Sequence, residues 1–166
     1  MKSTGRRVTE PHSKSAAVAE ENGCPLCPPR DKIDAFSIEV APLTVSTLYL
    51  DRNQTYKGQC VLVFDPRHVE GLETLSPAEF NAFAQDLRVA ARALTAVCQP
   101  DLMNYASLGN IIRHLHWHIV PRYESDPRWG APIYTSTLTD MLETRLEDVE
   151  YEAIVTTLRA ALSDAA

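Results

Sequence analysis

Apolar and polar positions change period several times along this chain, and each change marks an element. "FSIEV", Phe36 to Val40, alternates apolar and polar residues, as a strand with one buried face does. "TVSTLYL", Thr44 to Leu50, is rich in β-branched residues and predicts a second strand. "DRNQTYKG" supplies the turn residues Asp51, Asn53 and Gly58. The apolar run "QCVLVFD", Gln59 to Asp65, is bounded by turn signals and predicts a central strand.

The period then lengthens to that of a helix. Phe80, Phe83, Leu87, Ala90, Leu94 and Val97 recur at spacings of three and four and predict one apolar face. Ser76 is the expected N-cap, with Pro77 at the first helical position and Glu79 closing a capping box. Pro100 is the expected stop. "MNYASLGN" predicts a short strand and a Gly109–Asn110 turn, and "HLHWHIV" a last strand halted by Pro121. From about Leu138, helical spacing returns through Leu142, Leu146, Ile154, Leu158 and Leu162. Short links between neighbouring strands favour an α+β class: an antiparallel sheet of about five strands, one long helix between strands and C-terminal helices.

Composition narrows the function. The chain has 166 residues, 45% hydrophobic and 23% charged, which suits one globular domain. Residues 1–22 read as a flexible polar tail, and 23–166 as a single domain with a C-terminal helical extension. A net charge of −6 argues against a nucleic-acid or membrane-surface binder, although a local site can still hold a small anion. The N-terminus has no apolar run for a signal peptide, and Glu10, Glu20 and Glu21 fit a transit peptide poorly. No stretch approaches the ~20 apolar residues of a membrane span, so the cytoplasm is the expected location. In that setting the Cys24–Cys27 pair of "CPLC" is read as metal-binding or redox-active, and the isolated Cys60 and Cys98 as buried small hydrophobes.

"HLHWHIVPR", His114 to Arg122, holds three of the five histidines. On a strand, His114, His116 and His118 would share one face at about 7 Å intervals, with Leu115, Trp117 and Ile119 packing on the other. Exposed strand faces usually draw on Thr, Lys, Glu or Arg. Neutral imidazole is both nucleophile and metal ligand, so a nucleophile with helpers and a metal cluster both stay open. A purely catalytic metal fits less well, since no acidic residue sits among the histidines.

"HLHWHIVPR" resembles the signature of the histidine-triad (HIT) family. "YKGQCVLVFDPRHVEGLETLSPAEF" resembles that family's turn–strand–loop–helix segment, and "CPLC" the N-terminal zinc knuckle of many bacterial members. The likeness runs from about Cys24 to Tyr123, and among zinc-containing members it lies with the dinucleoside polyphosphate hydrolases. The resemblance implies a nucleotide hydrolase acting at an α-phosphate of a dinucleoside polyphosphate or nucleoside phosphoramidate. His116 would be the nucleophile that forms a nucleotidyl-histidine, oriented by a backbone carbonyl, and His118 a donor to phosphate oxygen.

The same resemblance assigns Cys24, Cys27, His68 and His114 to one zinc per chain. Four protein ligands make such a zinc structural. It places Asp51 at the ribose, where a turn role is equally open, and Asn110 where a phosphate-contacting Gln is common. Ile111 departs from the family's hydroxyl residue, and Asn104 is a weaker polar-contact candidate. Tyr49 could pack on a base or in the core. The "DPRWGAP" loop, with Arg128 and Trp129, could cover a substrate or stay on the surface. A homodimer is expected, with the helix from Ser76 to Cys98 as a possible interface. The alternatives are a nucleotidyltransferase or phosphorylase using the same intermediate, which His118 leans against because such relatives often carry Gln there. A low-turnover nucleotide-binding regulatory module is kept open by Ile111.

Overall fold

Hairpin links lay the first strands side by side. The computed structural model describes residues 23–30, 33–126, 128–133 and 143–165. Strands β1 (Ser37–Pro42), β2 (Ser46–Asp51) and β3 (Cys60–Phe64) precede helix α1 (Pro77–Cys98). Then come β4 (Leu102–Ala106), β5 (His116–Arg122) and helix α2 (Asp148–Ala165). The sheet order is β1-β2-β3-β5-β4 with every neighbour antiparallel, so the fold is the expected α+β. The leap over α1 inserts β5 beside β3 and leaves β4 at an edge.

One sheet face carries the main core. Leu48, Leu50, Leu62, Phe64, Leu115 and Ile119 meet Phe83, Ala90 and Leu94 of α1, and Tyr151, Val155 and Leu158 of α2. The capping box forms as predicted: Ser76 Oγ accepts from Glu79 N–H at 3.3 Å, and Ser76 N–H donates to Glu79 at 2.8 Å. Gln99, in the left-handed region at φ 47°, ends the helix one residue before Pro100.

Four expectations need correction. Phe80 lies in the first turn of α1 and is 46% exposed; Asp86 is the inward residue the apolar pattern missed. Its carboxylate accepts from Thr44 N–H, Val45 N–H and Ser46 Oγ at 2.7–3.1 Å, tying α1 to the β1–β2 turn. β5 does not stop before Pro121 but runs through it to Arg122. β3 has ended by then (its last partner pair is Cys60 with Ile119), and a strand bordered on one side tolerates a residue without an N–H. Leu138 and Leu142 lie outside the described residues, as does the 1–22 tail, and Leu146 precedes α2. Cys60 is fully buried as expected, whereas Cys98 is only partly so. No helix among the described residues is long and apolar enough to cross a membrane.

Candidate functional site

The sheet face opposite the helices gathers the candidate chemistry. Cross-strand pairing sets Val63 opposite His116 and Val61 opposite His118, so both histidines project away from the main core. His114 does not belong to this row. Its N–H closes a three-residue turn on Ile112 C=O at 2.9 Å, which takes it out of the extended chain just before β5. Leu115 N–H then donates to Val69 C=O at 2.7 Å, and Phe64 N–H to Leu115 C=O at 3.1 Å. These two bonds draw the loop after β3, with His68, against His114.

The result is a cluster of four: Cys24, Cys27, His68 and His114 bring their ligand atoms within 4.8 Å of one another. Cys27 Sγ lies 3.3 Å from His68 Nδ1 and 3.4 Å from His114 Nδ1, and Cys24 Sγ lies 3.5 Å from His114 Nδ1. Tetrahedral zinc with arms of about 2.3 Å to sulfur and about 2.0–2.1 Å to nitrogen requires an S···N edge of about 3.5 Å. The donor set therefore fits zinc. His114 Nε2–H donates to Phe64 C=O at 2.7 Å, which turns the Nδ1 lone pair toward the two sulfurs. Burial pushes the His114 pKa down to about 4, so the ring is neutral, as a ligand must be.

The N-terminal segment is fastened independently. Leu26 and Ile33 pack on Tyr49 and Val63. Arg30 donates to Leu26 C=O at 2.9 Å, to Tyr49 Oη at 2.9 Å and to Asp65, whose other oxygen accepts from Thr47. Tyr49 is thus closed into a small core and is no open platform for a base.

Beside the cluster stands the histidine pair. His116 Nδ1 lies 2.6 Å from the carbonyl oxygen of His114, which can only accept, so Nδ1 carries the proton and Nε2 the lone pair. His118 Nε2 lies 3.2 Å from His116 Nε2, closer than the even row expected on a strand, and donates to that lone pair. The rings meet edge-on, with centroids 4.9 Å apart. Burial lowers the His116 pKa and, with the nearby His116 ring as a lesser cause, pushes that of His118 down to about 4. Both rings are neutral near pH 7. A neutral, oriented imidazole with a donor beside its lone pair is equipped for nucleophilic attack on an electrophile that the donor also touches.

The remaining candidates spread along this face. Asp51 ends β2, with β3 between it and the histidines. Its oxygens accept from Asn53 N–H and Gln59 Nε2, each at 2.8 Å, and burial raises its pKa. The bond to Asn53 is the turn role the sequence left open, and a second lone pair remains on each oxygen. Asn104 pairs with Val120 on β5 and accepts from Arg122 at 2.8 Å. Asn110 is exposed after Gly109, whose φ of 63° suits glycine, and Ile111 is 75% exposed.

A family model described as HIT domain matches residues 40–125, more than half of the chain. The chain belongs to the HIT family. Solved HIT proteins share its fold. One from Sinorhizobium meliloti 1021 is 19% identical with a TM-score of 0.70, covering 79% of this chain and 93% of its own. Another, from Bradyrhizobium japonicum, is 21% identical with a TM-score of 0.71, covering 80% and 95%. A zinc-bound HIT protein from Mycobacterium smegmatis is 23% identical with a TM-score of 0.56, covering 79% and 87%. A search of curated proteins found no match. As in the sequence reading, the HIT motif supplies the histidines. Arg122 lies within the quoted motif but without a role there, and Arg30, Phe64 and Asp65 carry no spacing signal, being a lone arginine, a main-chain carbonyl and a loop aspartate.

Proposed function

We propose that this HIT protein is a zinc-stabilised nucleotide hydrolase that cleaves at an α-phosphate through His116. The supporting observation is the 2.6 Å bond from His116 Nδ1–H to the His114 carbonyl, which leaves Nε2 as the attacking lone pair beside His118. In the first step Nε2 forms a bond to the α-phosphorus, and the bond from phosphorus to the leaving group breaks, its electron pair departing with that group. His118 turns its N–H from His116 to a phosphate oxygen as charge develops there. Water then attacks phosphorus, the P–N bond breaks, and the electron pair returns to Nε2 as the nucleoside monophosphate leaves. The substrate is a dinucleoside polyphosphate or a nucleoside phosphoramidate, with Asp51 at the ribose and Asn104 and Asn110 at phosphate.

Cys24, Cys27, His68 and His114 would hold one zinc, which supplies a fixed structural tie and leaves no open coordination position. Through that tie the main chain of His114 would be fixed, and with it the ring of His116, whose Nδ1–H donates to the His114 carbonyl. Two chains would associate by the β4 edge, where Leu102 and Tyr105 are exposed, rather than by α1, whose apolar face is already buried. The β1 edge is covered, since Arg159 donates to the Glu39 and Val40 carbonyls.

A second reading, a nucleotide-binding module with little turnover, is favoured by one observation, the apolar Ile111. Incubation with α-³²P-labelled nucleotides, an alkaline denaturing quench and product analysis separates the two. Hydrolysis lost in His116→Ala and acid-labile label on wild-type histidine support the enzyme. Binding without label or product supports the module.

A further inference from the structure

Beyond the histidines, β5 ends on an arginine that is 3% exposed yet faces the same side of the sheet. Arg122 follows His116, His118 and Val120 at strand period, while the intervening Ile119 lies in the opposite core. A cation on the face proposed to bind phosphate invites assignment as a phosphate ligand. Its hydrogen bonds argue against that. Nε donates to Asp126 at 2.7 Å, Nη1 to Asn104 Oδ1 at 2.8 Å and to Ala131 C=O at 3.2 Å, and Nη2 to Arg128 C=O at 2.8 Å. The guanidinium also stacks on Tyr56, 4.9 Å from the ring centroid. Four of its five N–H groups are engaged within the protein, and Asp126 balances its charge.

We infer that Arg122 is a positioning residue that fixes the polarity of the Asn104 side chain, an inference that rests on the nucleotide reading of the site. Arginine has donors only, so the oxygen of Asn104 must face it and the NH₂ must point elsewhere. Asn104 pairs with Val120, and its neighbour Ala106 pairs with His118, so Asn104 sits diagonally from His118 on one face. Diagonal neighbours lie about 7–8 Å apart, with their Cβ atoms somewhat closer, a gap that one phosphate group can bridge. Arg122 thereby presents Asn104 as a hydrogen-bond donor to phosphate without touching the anion itself. The same guanidinium seats the Arg128–Ala131 turn on β4 and β5.

Two sets of variants test this, with AMP as the titrated ligand and melting temperature as the control for folding. Asn104→Asp keeps an acceptor for Arg122 but removes the donor, so it should melt within a few degrees of wild type. It should nevertheless bind AMP roughly tenfold or more weakly, the size of a hydrogen bond to a charged group, and more weakly than Asn104→Ala. In a double-mutant cycle, Arg122→Met and Asn104→Ala should give a combined loss no larger than the greater single loss, because both remove one contact. Asn104→Asp binding AMP like wild type, or additive losses in the cycle, would overturn the role of Arg122 alone. Wild-type protein that does not bind AMP would overturn the nucleotide reading, and this inference with it.

Discussion

The four-residue cluster and the histidine pair are neighbours, yet they are assembled in opposite ways. Cys24, Cys27, His68 and His114 come from three separate segments of the chain, and only tertiary structure brings them together. His116 and His118 come from one strand, whose pleat alone puts them on one face. The cluster has a closed donor set with its ring nitrogens turned inward. The pair keeps a lone pair and a donor directed at each other. His114 joins the two, giving its side chain to the cluster and its carbonyl to the Nδ1–H of His116. Spatial proximity therefore does not imply a shared task, and side-chain and main-chain functions of one residue can be separated by experiment.

The sharpest separation is at His116. Its replacement by alanine should lower kcat by roughly 10⁴–10⁶-fold, as loss of a covalent nucleophile does, while zinc content stays unchanged. Metal analysis beside a hydrolysis assay checks both halves, and zinc lost with His116 would make the two groups one site. His118→Ala should cost roughly 10²–10³-fold in kcat, the value of one donor aimed at developing charge, again with zinc retained. Cys27→Ser reverses the pattern. It should abolish zinc binding and lower the melting temperature, while kcat falls only about 10–100-fold, because the His114 carbonyl is loosened and not removed.

The smallest effect is one of pH. Burial favours neutral His118 in the folded protein, with a pKa of about 4, whereas the unfolded chain takes up the proton near the ordinary value of about 6.5. The unfolded state binds more protons between those values, so stability is full above pH 6.5 and is lost as pH falls toward 4. Denaturant titrations at pH 7.5 and 5.5 should show a smaller acid loss in His118→Asn than in wild type. Subtracting the variant removes the contribution of the Cys24, Cys27, His68 and His114 cluster.

The two groups also differed in how readily the sequence revealed them. The histidine pair was visible from period-two spacing alone, and the α1 capping box from Ser76 and Glu79. Convergence of the cluster rested on resemblance, since no local rule links Cys24 to His68 or His114. The spacing of His114 matches its strand neighbours and predicts a place on the strand, but the turn onto Ile112 overrides that pattern and carries its ring into the cluster. Pro121 predicts a stop only because a sequence does not show where the adjacent strand ends. Asp86 and Arg122 carry no sequence signal for a related reason: a lone charged residue looks solvated until its partners are known, here main-chain N–H groups 41 and 42 residues away for Asp86, and Asp126, Asn104 and two loop carbonyls for Arg122.

The central proposal is that His116 acts as a covalent nucleophile while His114 serves the cluster. Rapid mixing of the zinc-loaded protein with a dinucleoside polyphosphate, acid-free quench and peptide mass analysis tests this directly. The predicted result is a nucleotidyl group on His116 and none on His114 or His118, formed and lost at rates that match turnover. Turnover without any adduct, or an adduct on another histidine, would contradict it.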